Sequence, residues 1–586
     1  VFRNTQAGAL TLALAAAAIV EPLAAEERTP VFVDRAAELG VDFVHDNGMT
    51  GELYFAENMG GGAALFDVDG DGDLDLYLGQ GHRLAPAGDP AASSPPAAAT
   101  GDGRRDRLYR NDLDAGELRF TDITEESGLD ARGYGMGVTV GDIDNDGDPD
   151  LYILNLGPNE LWRNDSAPGA IRFTNITAGS NTADPRWSAA ASFLDFDGDG
   201  LLDLFVGNYV EFRVAIHKTC SSPQGLLDYC GPSAYRDEAN RVLRNRGGGT
   251  FEDWTFRLGI GDLRRPTLGT VTTDLNSDGT TDIYVANDQS PNALLLNQNG
   301  AAFVDDAVLA GAAVDAGGQP EASMGVLAED FNGDGLVDLF MTHLQHQTNT
   351  LYLNEGDGLW DDRTHRSGLG QPSFVYTGFG AAALDYDLDG ELDIYVANGA
   401  VKRIEEQLRA GDPHPLRQPN QLFRALGGGR FEEVPDFERP AVSEVSRGVA
   451  RGDLDNDGDP DLVVVNNGGP VRVLINQAAP RGRGWVGVDL RLEPTGEALV
   501  GSRALGAWLG VLENGEPRRW RRFHTDGSYA SANDPRLVFA APTGSLPTLI
   551  ARWPDGATET FRTEKTGEYV SLVRGRGSPT ASRGNP

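Results

Sequence analysis

Short apolar runs recur along the chain in one fixed setting, each directly after a stretch of aspartate and glycine. They read LDLYLG, PDLYIL, LDLFVG, TDIYVA, VDLFMT, LDIYVA and PDLVVV. Their length and their content of Tyr, Phe, Ile and Val mark them as strands bounded by turns. The residues before each acidic stretch are small and apolar, as in GGGAALF, GMGVTVG and GFGAAAL. A leucine-rich run follows each strand and usually closes on asparagine, at Asn111, Asn164, Asn245, Asn297, Asn354 and Asn476. An aromatic residue with a nearby acid or amide then opens the next unit, at Phe32, Phe120, Phe173, Phe251, Phe303, Trp360 and Phe431. A unit of about four short strands is the content of one propeller blade. Repeats that cannot bury a face alone must close into a ring or stack, and units with several strands suit a ring. The pattern therefore predicts an all-β chain with a seven-bladed β-propeller over 30–478, and leaves a C-terminal segment outside the repeat.

The acidic stretches are nonapeptides with one grammar. They span Asp67–Asp75, Asp142–Asp150, Asp195–Asp203, Asp274–Asp282, Asp330–Asp338, Asp385–Asp393 and Asp453–Asp461. Positions 1, 3, 5 and 9 are Asp67, Asp69, Asp71 and Asp75 in the first loop, Asp142, Asp144, Asp146 and Asp150 in the second, and Asp195, Asp197, Asp199 and Asp203 in the third. They are Asp274, Asn276, Asp278 and Asp282 in the fourth, Asp330, Asn332, Asp334 and Asp338 in the fifth, Asp385, Asp387, Asp389 and Asp393 in the sixth, and Asp453, Asp455, Asp457 and Asp461 in the seventh. Position 6 is always glycine, and position 7 varies freely, which is what a ligand offering only its backbone carbonyl predicts.

Calcium takes six to eight hard oxygen ligands and tolerates irregular cages, whereas magnesium resists such complete dehydration. The grammar thus predicts about seven Ca²⁺ sites. An EF-hand is excluded, because that loop needs glutamate at position 12 and flanking helices; here position 12 is apolar, as at Leu78 and Ile153. A single acidic turn would read as a solvated hairpin. Seven with the same grammar do not.

Composition adds constraints. The chain has 586 residues, a formal net charge of −39 and 40% hydrophobic residues. Such a surface repels nucleic-acid phosphates and anionic headgroups, so neither is an expected partner, while the apolar content is ample for a core. Residues 7–20 form a small, apolar run after Arg3, with Ala24 and Ala25 before an acidic pair. That is the layout of a secretory signal peptide over 1–25, and the run is shorter than the ~20 residues a bilayer demands. No transmembrane segment is expected in the mature chain, and its place is secreted, periplasmic or cell-surface.

The hairpins, the small-residue strand before them and the F-x-D segments resemble FG-GAP/VCBS repeats, the units of integrin α-subunit propellers. The C-terminal segment resembles the ASPIC/UnbV domain of the cartilage acidic protein family, on Gly506-Ala507, GSYASANDPRLVF over Gly527–Phe539 and ARWPDGATETF over Ala551–Phe561. Cys230-Gly231-Pro232, preceded by Tyr229, resembles a further segment of that family. One departure is Ala540-Ala541-Pro542, where the family carries F-G-L-G. The resemblance implies a propeller, calcium loops, a small β-rich C-terminal domain over 484–575 ahead of a disordered tail over 576–586, an extracellular setting, and no firm catalytic role.

Other chemistry weighs less. Arg451-Gly452-Asp453 spells an adhesion tripeptide, but Asp453 already belongs to the seventh loop. His343 and His346 lack a third ligand nearby and read as loop histidines. Asn164 and Asn175 head glycosylation sequons, meaningful in a eukaryotic secretory host. Cys220 and Cys230 are expected to bridge in an oxidised compartment. Insertions Gln80–Asp106, Asn208–Asn240 and Asn398–Asn420 are the expected surface for an extracellular protein or glycan partner. No nucleophile elbow, phosphate loop or cofactor fingerprint occurs, so a binding or scaffold module is expected. A carbohydrate lyase or hydrolase acting in the propeller channel is the alternative.

Overall fold

The computed structural model describes residues 30–84, 104–113, 117–167, 169–478, 484–494, 501–541 and 546–580. The signal peptide expected over 1–25 and the middle of the first insertion lie outside the described residues.

Six antiparallel sheets of four strands follow one another, built from consecutive strands except in the third, where the short hairpin Cys220–Ser221 and Leu227–Asp228 intervenes. The first comprises Ala63–Phe66, Asp75–Leu78, Arg107–Asn111 and Phe120–Asp122. A seventh sheet holds Ser446–Gly452, Asp461–Asn466 and Arg472–Asn476, and takes its fourth strand, Phe32–Asp34, from the start of the chain. Glu438–Arg439 runs parallel along its outer edge. The first strands of successive sheets adjoin one another, and that of the seventh sheet adjoins Ala63–Phe66 of the first. The sheets are blades of a β-propeller, and the layer joining last to first packs Leu65 and Leu76 with Val463 and Val473.

This corrects one expectation. The F-x-D segments do not open the next unit; each is the outer strand of the blade before it. Phe120 pairs back onto Asn111, and Phe173 onto Asn164. Phe32, which has no preceding blade, pairs with Asn476 of the last one. In these strands the aromatic ring is buried and the next residues face water. The second strands are buried throughout because a neighbouring blade covers each face.

Residues after 484 form two more sheets. One orders Leu537–Ala541, Gly484–Arg491 and Tyr569–Val573; the other orders Glu516–Arg522, Trp508–Glu513, Thr548–Arg552, Thr558–Arg562 and Ser578–Pro579. Val486, Leu509, Phe539 and Trp553 fill the core between them. The stretch expected to be a disordered tail is thus partly in the fold, since Ser578 pairs with Thr560.

The segment between Arg522 and Leu537 enters the propeller axis. Ser528 exchanges backbone hydrogen bonds with Val326 of the fifth blade, and its hydroxyl donates to the Val449 carbonyl of the seventh. Ala530 accepts from the Val138 amide of the second blade, and Ala532 pairs with Ala63 of the first. The Tyr529 hydroxyl donates to the Met59 carbonyl at 2.9 Å, and its ring meets Phe379 edge-on. Small residues on the first strands make room for this segment: a Cβ on Gly62 would lie 2.1 Å from the Ala530 carbonyl oxygen.

Candidate metal centres and the domain that covers them

Each acidic loop joins the first and second strands of its blade, so all seven lie on one face. The position-1 carboxylate organises the turn. Asp195 accepts from the amides of Gly198, Asp199 and Gly200, and Asp330 from those of Gly333, Asp334 and Gly335. Position-6 glycines have positive φ, from 84° at Gly200 to 102° at Gly147, a region costly for residues with a Cβ. Position 5 accepts from the position-7 amide, as in Asp71 from Asp73 and Asp334 from Leu336.

Position 9 has a second task that sequence reasoning missed. One oxygen of Asp75 accepts from the Val68 amide in its own loop, the other from the Asn111 amide on the third strand, both at 2.8 Å. The pattern repeats at Asp150, Asp203, Asp282, Asp338, Asp393 and Asp461. These buried carboxylates brace the hairpin against the rest of the blade. The recurring asparagine is likewise more than a strand end. Its side-chain amide reaches the position-2 carbonyl of the preceding blade's loop: Asn164 to Val68, Asn245 to Ile143, Asn297 to Phe196, Asn354 to Leu275 and Asn476 to Tyr386.

The carboxylates converge as a cation site requires. Single oxygens of Asp67, Asp69 and Asp71 lie within 4.8 Å of one another, as do those of Asp142, Asp144 and Asp146, and of Asp195, Asp197 and Asp199. In the sixth and seventh loops the converging sets are Asp385, Asp387 and Asp393, and Asp453, Asp455 and Asp461, which bring in position 9. In the fourth and fifth loops Asn276 and Asn332 stand at position 3, their amides 3.0 and 2.8 Å from Asp278 and Asp334. The donor set fits calcium: Oδ1 of Asp69, Asp144, Asp197 and Asp455 is buried without a hydrogen-bond partner, a costly state for a carboxylate oxygen. Burial, then neighbouring carboxylates, push Asp69 and Asp144 up to about 6. Burial foremost lifts Asp453 to about 7 and Asp203 to about 8.

The C-terminal domain sits on this face. Ser502 Oγ is 2.7 Å from Asp142 Oδ2, the Tyr569 hydroxyl donates to Asp453 Oδ2 at 2.8 Å, and Arg503 Nη2 is 3.8 Å from Asp67 Oδ2. Arg536 donates to the Gly72 carbonyl and Arg521 to the Gly390 carbonyl. Where the two bodies meet over the third and fourth loops, a cleft of about 360 Å³ remains, lined by Asp197, Thr280, Ser502, Leu505 and Arg574.

The opposite face carries the insertions. Cys220 and Cys230 are bonded, with Cα atoms 5.2 Å apart, closing a loop whose short hairpin pairs Ser221 with Leu227. That loop reaches across to the sixth blade's insertion: the Arg403 amide donates to Asp228 at 3.1 Å, and Lys402 Nζ donates to the Tyr229 carbonyl. Leu226 and Leu227 remain 45% and 57% exposed at its tip. The adhesion tripeptide is inaccessible, since Asp453 is buried and Arg451 Nη1 donates to the Ala383 carbonyl inside the ring. His343 is buried against Ser323 and the Thr348 carbonyl, and His346 packs on Phe374, so the two share no site. The Asn164 sequon is buried; Asn175 is exposed.

Comparison with known proteins agrees with this anatomy. A family described as FG-GAP-like repeat matches residues 97–153, 143–206, 274–341 and 330–396, and one described as ASPIC and UnbV matches residues 501–579. The chain is 24% identical to cartilage acidic protein 1 of Mus musculus over 512 residues, which is 84% of this chain and 70% of that one. The Homo sapiens protein of the same name is 23% identical over 540 residues, 87% of this chain and 71% of that one. Among solved structures, the BP39L lectin from Burkholderia pseudomallei aligns at a TM-score of 0.36 and 13% identity, covering 72% of this chain and 97% of the lectin. No helix among the described residues is long and apolar enough to cross a membrane.

Proposed function

Taking as premise that the chain is one of the FG-GAP repeat proteins that end in an ASPIC and UnbV domain, we propose that it is an extracellular, calcium-stabilised binding or scaffold module. Its free face engages a protein or glycan through the insertion loops. The observation that carries this reading is the pair of leucines, Leu226 and Leu227, held exposed on the tip of a disulfide-closed loop. Exposed apolar side chains on a rigid loop suit a contact surface, and a stable bridge suits an oxidising compartment.

In each loop the residues at positions 1, 3 and 5, joined by position 9 in the sixth and seventh blades, would hold the ion. Calcium supplies the positive charge that offsets their mutual repulsion. The chain's own contribution is the fixed turn: the position-1 carboxylate and the glycine at position 6 set the cage before an ion arrives.

A hydrolase or lyase needs an open axis with free polar groups. Here Arg447, His524 and Tyr529, which reach the axis, are engaged. Arg447 donates to the carbonyls of Asn58, Gly399, Ser446 and Ala400; His524 lies against Glu329 and Asp526; Tyr529 is bonded to Met59. This weighs against catalysis in the channel.

The test is binding of the full chain to an array of extracellular-matrix proteins and glycans, with calcium and with excess chelator. Calcium-dependent retention that falls at least fivefold in a Leu226→Ser, Leu227→Ser double variant supports the reading. Retention indifferent to both the variant and the chelator would sink it.

A further inference from the structure

We infer that Ser502, Arg503 and Tyr569 of the C-terminal domain are positioning residues for the metal loops of the second, first and seventh blades, so that cation loading and seating of that domain are one coupled equilibrium. The inference rests on the calcium reading above and goes beyond it, since it divides the seven loops into unlike classes and gives the C-terminal domain a task.

The geometry behind it is direct. In the second loop, Asp142 Oδ2 accepts from the Gly147 amide at 2.9 Å and lies 2.7 Å from Ser502 Oγ, which is also 3.0 Å from Asn145 Oδ1. In the seventh, Asp453 Oδ2 accepts from the Gly458 amide at 2.9 Å and from the Tyr569 hydroxyl at 2.8 Å. In the first, Asp67 Oδ2 accepts from the Gly72 amide at 3.2 Å, with Arg503 Nη2 at 3.8 Å. A position-1 carboxylate whose Oδ2 is held at once by an amide of its own loop and by a side chain of another domain cannot rotate freely. Outer contacts that orient a ligand raise the affinity of a metal site, chiefly because the ordering is already complete before the ion binds.

The glycines at position 6 give an independent sign of the same docking. At Gly335, Gly390 and Gly458 the space a Cβ would fill is bounded by Trp520, Arg519 and Trp485 of the C-terminal domain; at Gly458 the indole would lie 2.1 Å from it. At Gly72, Gly147, Gly200 and Gly279 that space is open. The glycine at 458 therefore serves two ends, the turn of the loop and the approach of Trp485.

The third loop is the counter-example within the same molecule. Its Gly200 and Asp197 line the cleft, and among the described residues no C-terminal side chain bonds its position-1 aspartate. Instead Arg244, from the third strand of its own blade, pairs with Asp197 and lies 2.6 Å from Asp199 Oδ2. A guanidinium on two of the three converging carboxylates competes with any cation, so this loop binds calcium more weakly than the second and seventh.

Linkage makes the coupling reciprocal: if a seated C-terminal domain raises calcium affinity, bound calcium holds that domain down by the same free energy. Two measurements on the full chain test it. Hydrogen exchange of the wild type, with calcium chloride and then with excess chelator, should show faster exchange in Gly484–Arg491 and Tyr569–Val573 on chelation as well as in the loops. Terbium luminescence excited through tryptophan reports the loops beside Trp485 and Trp520, and the part of it lost in Trp485→Phe reads the seventh loop. Tyr569→Phe should move its midpoint to at least about fivefold higher terbium, the lower end of ordinary coupling, while Arg244→Leu should tighten the third loop in calcium titrations. Loop exchange that responds to chelation while the C-terminal strands do not, with an unmoved terbium midpoint, overturns the coupling and leaves the calcium reading standing. No response in either overturns both.

Discussion

The side-chain amide of Asn111, in the first blade, donates to the carbonyl of Leu454, in the last, at 2.9 Å. The same bond joins the neighbouring blades elsewhere, from Asn164 to Val68 and from Asn476 to Tyr386, so one repeated contact both links successive blades and closes the ring. The sixth blade breaks the series. It has Ala425 at the equivalent position, whose amide still braces Asp393 but whose methyl group, buried in the cluster that includes Phe331, has nothing to donate.

Removing a bolt should therefore cost stability in a predictable place. Asn111→Ala leaves the buried Leu454 carbonyl without that donor and should destabilise by about 1–3 kcal/mol. Ala425→Asn should supply the missing bond, to the Phe331 carbonyl, and stabilise by about 1 kcal/mol. Chemical denaturation in saturating calcium measures both. Equal stability in Asn111→Ala and wild type would refute the bolt.

The axial segment offers a second test. Gly62→Ala places a methyl group 2.1 Å from the Ala530 carbonyl oxygen, and overpacking of that kind costs about 1–3 kcal/mol. The expected readout is earlier proteolytic release of the C-terminal domain, with the propeller fragment resistant for longer. Loss of both at the same rate would mean that the segment does not act as a separate element.

A pH dependence follows from Asp106, buried at the base of the first insertion, where it accepts from the Tyr77 hydroxyl and the Gln80 amide. Burial pushes its carboxyl up to about 8. A folded-state value above the unfolded one means that the native protein holds the proton more tightly. The contribution is complete below the ordinary carboxylate range and is lost as pH rises toward 8. Asp106→Asn should flatten the fall in stability between pH 5 and about 8, measured with calcium in excess. A slope identical to wild type would show that Asp106 does not contribute.

Much of this was legible in the chain because the repeat has a strict grammar. The propeller strands and the acidic loops follow from spacings within a few residues, and the C-terminal β domain from its resemblance to a known family. What escaped was relational. Phe32 looks like Phe120 in sequence, and only the ring shows that both end a blade. Asp75 reads as one more acid of its loop, and nothing in the sequence shows that its two oxygens also brace backbone amides at Val68 and Asn111. The small residues on first strands carry no sign of their occupant, since Gly62 and Ala530 are distant in the chain. Asn111 signalled a strand end, but its partner at Leu454 lies at the far end of the propeller.

The strand Phe32–Asp34 also sets the order of events during synthesis. It leaves the ribosome before any blade exists, yet its place is beside Arg472–Asn476, the last propeller strand to be made. Until then it waits unpaired while six blades assemble behind it, and the axial segment arrives later still. A growing chain can accumulate finished blades but no finished ring, so anything that depends on the closed ring is withheld from every partial product.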